Sequence, residues 1–296
     1  MKLPYCLRAC INNLCLCVGL VCVHSFVFGQ PITSVLSPDS IQYYRTALAK
    51  RYQTDVSAHR GASGIAPENT LATYREVLTM QVAYIEIDVR TTKDGQLAIL
   101  HDGSLNRTTT GTGPMKEQTL ASLKALSAGK GYGDQFRDER IPTLDEVCKL
   151  IADWNASHAH KTNLYVDCKE VAPQPLVETL QKYGLLSEAV FYGSDDYLLA
   201  LKKVAPTARL MPSLNKADEL SDKIDKLHPY AFDLRWQAVT ESLIEQIHRH
   251  GIKAFSDLLG PADTAEQYRK AARLKLDIIQ TDFVLNVYKA LNNNPK

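Results

Sequence analysis

This sequence predicts an α/β fold, a (β/α)8 barrel of eight parallel strands wrapped by helices. Three observations lead there. From Asp55 onward, short apolar runs alternate with amphipathic helical stretches over roughly 240 residues. No glycine-rich dinucleotide fingerprint follows the first strand, which places an open doubly wound sheet second. Side chains suited to chemistry (His59, Arg60, Glu86, Asp88, His101) fall at or near the ends of strand-like runs.

Composition permits such a domain. The 296 residues are 45% hydrophobic and 23% charged, enough for one large domain or two small ones. A net charge of +1 argues against bulk nucleic-acid binding. Residues 1–29 read as a cleaved secretory signal peptide: Lys2 and Arg8 lead, Leu14 to Val23 is apolar, and Val27-Phe28-Gly29 offers small or tolerable residues before Gln30. That apolar run is too short to span a membrane comfortably, so no stable span is expected in the mature form. Its removal takes away Cys6, Cys10, Cys15, Cys17 and Cys22 and leaves Cys148 and Cys168. Two buried thiols are the favoured reading of that pair, with a disulfide the alternative in an exported protein. The compartment expected is periplasmic or extracellular.

Residues 30–54 read as a lead-in helix, opened by Ser37-Pro38 with Ile41, Tyr44, Leu48 and Tyr52 on one face. The barrel is expected over 55–290. Its strand candidates are Val56–His59, Ala83–Val89, Gln96–His101, Asn163–Lys169, Ala189–Tyr192, Ala208–Pro212, Tyr230–Leu234, Ile252–Ser256 and Asp277–Thr281. Helical candidates between them include Thr70–Met80, Thr143–Asn155, Pro175–Tyr183, Tyr197–Val204, Thr240–His250 and Thr264–Leu274. Nine strand candidates exceed eight by one, and Asp94-Gly95 explains the surplus as a hairpin turn. With those two residues as the loop, Lys93 faces Gln96 and Asp88 lies opposite His101. The insertion of about 104–140, rich in Gly and Thr, is too long for a plain connection and is expected to form a lid or wall.

Glu86 and Asp88 lie two apart on a strand and share a face, with Ile85 and Ile87 opposite. Side-by-side buried carboxylates repel unless a cation or proton intervenes, and an all-oxygen set suits Mg²⁺ or Ca²⁺. Asp167 and Lys169 repeat the spacing, offering a third ligand and a charge for phosphate. An exposed strand or a local Asp–Lys pair is the bland alternative. His59 is a natural proton carrier, and Arg60 can grip two phosphate oxygens. Gly61 permits a sharp turn behind them. His101 is a second acid or base. Together these form an inventory for metal-assisted chemistry on a phosphate ester. His158, His160, His248 and His250 read as solvated or capping, and Gly129-Lys130 lacks the phosphate-loop spacing.

Ala58-His59-Arg60-Gly61, Ala66-Pro67-Glu68-Asn69-Thr70, Ile85-Glu86-Ile87-Asp88-Val89, Thr92-Lys93-Asp94-Gly95, His101-Asp102 and Leu105-Asn106-Arg107-Thr108-Thr109-Thr110-Gly111 together resemble the glycerophosphodiester phosphodiesterase family. The likeness continues through Ile141–Val147 to Ile278-Ile279-Gln280-Thr281-Asp282. It implies a TIM barrel with a small insertion after His101, and hydrolysis of a glycerophosphodiester to an alcohol and glycerol phosphate. It implies His59 and His101 as the acid/base pair. It also implies Glu86, Asp88 and Asp167 as ligands of one divalent cation, Arg60 and Lys169 on the phosphate, and Glu68 as site support. The related sphingomyelinase D-like enzymes, which release a lipid headgroup, share the Asp-x-Lys pattern. A barrel that binds phosphate esters without turnover is a third reading. Two positions depart from the pattern: Asp167 stands where many members carry Glu, and Ala254-Phe255-Ser256-Asp257 replaces a Trp-Thr-Val-Asn-like run.

Overall fold

A computed structural model describes residues 53–292. The expected signal peptide (1–29) and nearly all of the lead-in (30–54) lie outside the described residues.

The strands form one continuous sheet. β1 (Asp55–Ala58) pairs with β2 (Tyr84–Thr91) on one side and β10 (Ile278–Thr281) on the other, all parallel. From β2 the sheet continues through β4 (Asn163–Glu170) and β5 (Val190–Tyr192) to β6 (Arg209–Met211). From β10 it runs through β9 (Lys253–Asp257) and β8 (Ala231–Leu234) to β7 (Ser213–Leu214). β6 and β7 are two pieces of one path, broken at Pro212, which has no N–H to give a ladder. Bonds from Tyr230 N–H to the Leu210 carbonyl (2.9 Å) and from Asp233 N–H to the Pro212 carbonyl (3.0 Å) draw the two ends of the sheet together. The nine parallel strands thus make a nearly closed barrel of eight staves.

The surplus candidate is β3 (Leu97–Ile99), which pairs antiparallel with β2. Its register corrects the expectation by one residue. Val89 faces Ile99 and Thr91 faces Leu97, so Leu100, not His101, bonds through its N–H to the Asp88 carbonyl (3.0 Å). The loop holds three residues rather than two: Thr92 N–H reaches the Gln96 carbonyl (2.9 Å), and Gly95 takes φ +77°. A three-residue loop ending in a left-handed glycine shifts the pairing by one.

Helices fill the gaps: α1 (Leu71–Thr79), α2 (Leu120–Lys124), α3 (Leu144–Ser157), α4 (Pro173–Lys182), α5 (Asp195–Val204), α6 (Leu220–Leu227), α7 (Glu241–Arg249), α8 (Ala265–Arg273) and α9 (Val284–Asn292). Hydroxyls of Thr70, Thr143, Ser194, Thr240 and Thr264 accept N–H bonds at their starts. Each such cap is worth about 1 kcal/mol. Outward strand residues such as Ile85, Ile87, Val166 and Ile279 join the core beneath the helices. Cys148 and Cys168 are free thiols buried there.

Inside the barrel, strand alternation stacks a polar layer on an apolar one. Tyr84, Tyr165, Val190, Met211, Ala231, Phe255 and Ile278 form a buried plug. Two residues further along the same strands come Glu86, Asp167, Tyr192, Ser213, Asp233, Asp257 and Gln280. A period of two places these on the same inward face, at the carboxy-terminal rim where barrels of this kind carry their chemistry.

Candidate active site

His59 and Arg60 leave β1 in a strained turn. Arg60 has φ +52°, a left-handed conformation uncommon outside glycine. Its N–H donates to Glu86 Oε2 (2.8 Å), and its Nη1 to Glu68 Oε1 (3.1 Å). Gly61 follows at φ +93°, and a Cβ there would lie 2.2 Å from Thr73 Cγ2 of α1. Only glycine lets the helix approach this closely.

Glu86, Asp88 and Asp167 each offer an oxygen within 4.8 Å of the others, an acidic cluster that could hold a metal ion. Glu86 and Asp88 are buried, at 2% and 0% exposure. Burial first, then the Asp88 and Asp167 charges, push the Glu86 carboxyl well above the usual range. Burial also raises Asp167, although Lys169 opposes it. Asp88 Oδ2 accepts from Asn69 Nδ2 (2.8 Å), whose own carbonyl accepts from the buried Tyr74 hydroxyl (2.8 Å). Asp88 Oδ1 is buried and makes no hydrogen bond. An all-oxygen set with one buried carboxylate oxygen that makes no hydrogen bond fits a hard divalent cation.

Lys169 Nζ lies 2.5 Å from Asp167 Oδ2 and 3.5 Å from Asp88 Oδ1. The β2–β4 ladder shifts between Val89 and Arg90, passing from the Cys168 pairing to that of Glu170. Lys169 is therefore the unpaired residue of a bulge, a device that re-aims a side chain beside a site.

Each histidine presents Nδ1 to a neighbouring carboxylate. His59 Nδ1 lies 3.0 Å from Asp282 Oδ1, and His101 Nδ1 lies 2.7 Å from Asp102 Oδ1. Asp282 also accepts from Ser63 Oγ (3.1 Å). Burial is the largest influence on Asp282 and raises it, but His59, Ser63 and Arg60 together outweigh it and leave the carboxyl below its usual value. Asp102 is held well below the carboxylate range, first by Arg107 and then by His101.

Arg107 comes from the insertion and was not singled out in the sequence. Nη1 and Nη2 grip Glu68 (2.6 and 2.8 Å), while Nε and Nη2 grip Asp102 (2.8 and 2.8 Å). Arg90 and Asp233 also went unmarked in the sequence, and Asp257 was marked only as part of a run that departs from the family pattern. Arg90 donates from Nε to the Leu100 carbonyl (3.0 Å) and from Nη2 to the His101 carbonyl (2.6 Å), fixing the segment that carries His101. Asp257 accepts from Gln280 Nε2 (2.8 Å), and Asp233 Oδ1 has no partner. Asp257, Asp233 and Asp282 stand at or near strand ends without a second charged residue two positions away on the strand, the spacing that marked Asp88 and Asp167. Nothing in its loop context distinguishes Arg107. His248 is taken by Asp277 at 2.8 Å, and His158 stacks on Trp154, so both are structural.

An α/β barrel gathering carboxylates, imidazoles and cationic groups at its carboxy-terminal rim is the arrangement of a phosphoric diester hydrolase. Within that class the chain belongs to the glycerophosphoryl diester phosphodiesterase family, whose model matches residues 59–286. It is 32% identical over 241 residues to a glycerophosphodiester phosphodiesterase of Caldanaerobacter subterraneus subsp. tengcongensis, covering 78% of this chain and 94% of that relative. Its fold resembles the glycerophosphodiester phosphodiesterase of Agrobacterium tumefaciens, with a TM-score of 0.71 and 27% identity over 80% of this chain and 99% of that one. It also resembles an Oleispira antarctica phosphodiesterase solved with the product sn-glycerol-3-phosphate, with a TM-score of 0.73 and 25% identity over 83% of this chain and 99% of the other.

Proposed function

We propose that the protein hydrolyses glycerophosphodiesters to an alcohol and glycerol phosphate, with Glu86, Asp88 and Asp167 holding one Mg²⁺ or Ca²⁺. The observation that carries this reading is the convergence of those three carboxylates beside Arg60 and Lys169. When bound, the cation draws charge from a phosphoryl oxygen and lowers the barrier to attack. Arg60 and Lys169 bind the phosphoryl oxygens and orient the ester. With each Nδ1 engaged by Asp282 or Asp102, the Nε2 atoms remain for proton transfer. One imidazole takes the proton of the attacking oxygen as its bond to phosphorus forms. The other gives a proton to the departing alcohol as the P–O bond breaks.

The test is glycerophosphodiester turnover by His59→Ala and His101→Ala. Losses of about 10²- to 10⁴-fold are expected from removing a general acid or base. Unchanged rates in both variants would defeat the assignment. Chelation should abolish activity, and Mg²⁺ or Ca²⁺ should restore it.

A second reading, release of a headgroup from a lipid, has one observation in its favour. Ile65 and Phe283, the large hydrophobics exposed among the described residues, are 39% and 43% exposed. They neighbour the His59 and Asp282 segments, where an acyl chain could rest. Comparing glycerophosphocholine with its acylated counterpart separates the two readings.

We also infer that the chain is exported after cleavage before Gln30, to the periplasm or beyond. Amino-terminal sequencing of the mature protein tests this, and an intact Met1 end would refute it.

A further inference from the structure

The insertion reaches one histidine–aspartate pair directly, through Arg107, and the other by way of Ser63, through Tyr132. On one side Arg107 binds Asp102 with two hydrogen bonds, and Asp102 holds His101 Nδ1. The same guanidinium binds Glu68 with two more, and Glu68 accepts from Arg60. A continuous line of hydrogen bonds therefore links Arg60, Glu68, Arg107, Asp102 and His101. On the other side the Tyr132 hydroxyl donates to the Ser63 carbonyl (2.7 Å). The Ser63 hydroxyl donates to Asp282, which holds His59 Nδ1.

An anchoring role for the insertion would not need this arrangement. The insertion has its own apolar cluster under it, with Leu105, Met115, Leu123 and Ala128 packed against Ala98, Leu100 and Ile141. Exposed ion pairs are worth little to stability. Arg107 is half exposed, at 46%, but its partners are not: Glu68 is 14% and Asp102 28% exposed. A bidentate grip fixes a carboxylate in direction as well as place. Turning Asp102 turns the imidazole it holds, and a displacement of about 1 Å can cost roughly 100-fold in rate.

We propose that Arg107 and Tyr132 are positioning residues, Arg107 for His101 and Arg60, Tyr132 for His59. The insertion then aligns two imidazoles that act on opposite ends of the scissile bond. This rests on the hydrolase reading above and adds a division of labour that it does not contain.

The experiment uses Arg107→Gln and Tyr132→Phe in the full chain, each checked by thermal melting. Steady-state kinetics are measured on two esters of glycerol phosphate, one of choline and one of p-nitrophenol. Choline leaves as a poor anion and needs a proton, whereas p-nitrophenolate leaves unaided. The variant serving the proton donor should lose roughly 10- to 100-fold more kcat on the choline ester than on the p-nitrophenyl ester. The variant serving the other histidine should lose the same factor on both. Arg107→Gln alone should also raise KM on both esters, because Arg60 loses its support. Two variants that behave alike, whether unchanged or reduced in the same pattern, would overturn the proposal. A wild-type chain that hydrolyses neither ester would instead overturn the hydrolase reading itself.

Discussion

Gly61 shows how narrowly single residues are specified. A β-carbon there meets Thr73 at 2.2 Å and carries φ +93°. Gly61→Ala should cost about 2 kcal/mol or more in denaturant melts, and it should move Arg60 off Glu86. A variant as stable as the parent would show that α1 can retreat. Asp102 gives a pH test. Its folded carboxyl is depressed below the usual 3.8 by Arg107 and then His101. A depressed acid adds stability above its unfolded value and loses it as pH falls towards the folded value. Asp102→Asn should therefore melt earlier than the parent at pH 7, with the gap closing below about pH 4. An equal gap at pH 3 and pH 7 would contradict the ion pair. At this scale the sequence was informative where neighbours are local. Glu86 and Asp88 share one face because alternation is a property of the strand itself, whereas Lys169 reaches Asp167 from a bulge that its spacing did not announce. Partners brought by distant chain were invisible: Glu68 and Arg107 are 39 residues apart.

The β2–β3 hairpin marks the limit of legibility for elements. Asp94-Gly95 announced a turn, yet dipeptide and flanking pattern fit loops of two or three residues equally. The choice fell to Thr92, whose hydroxyl bonds Asp94 Oδ1 (2.5 Å) and accepts from Gln96 N–H (2.9 Å). That local bonding set the register and moved His101 one place along. Gly95→Ala has open space but φ +77°. It should cost about 1 kcal/mol from backbone strain alone, with the metal cluster undisturbed. Loss of metal binding in that variant would mean the hairpin also shapes the acidic site. Most strands and helices were legible because hydrophobic periodicity and Thr or Ser caps are written within each segment. α6 was not, since the Lys and Asp residues of Leu220–Leu227 hide a stripe that buries only Leu220 and Leu227.

Across the whole molecule, one polar layer carries the electrostatic cost of the site. Glu86 is raised by burial, then by Asp88 and Asp167, so a cation placed among them should stabilise the fold. Saturation at about 100 times the dissociation constant contributes roughly 2.7 kcal/mol. Thermal melting should rise with Mg²⁺ or Ca²⁺ and fall with chelator, and Asp88→Asn should blunt the rise. An unchanged midpoint would remove the cation from the barrel.

The stacking of plug and rim has a consequence for how the protein could change. Seven of the eight staves give one side chain to the plug and the next inward one to the polar rim, so packing and rim chemistry use separate positions. Randomising Tyr192, Ser213, Asp233 and Asp257 together should therefore yield mostly folded variants with altered preference for the alcohol. Reassigning Val190, Met211, Ala231 and Phe255 should instead yield unfolded chains.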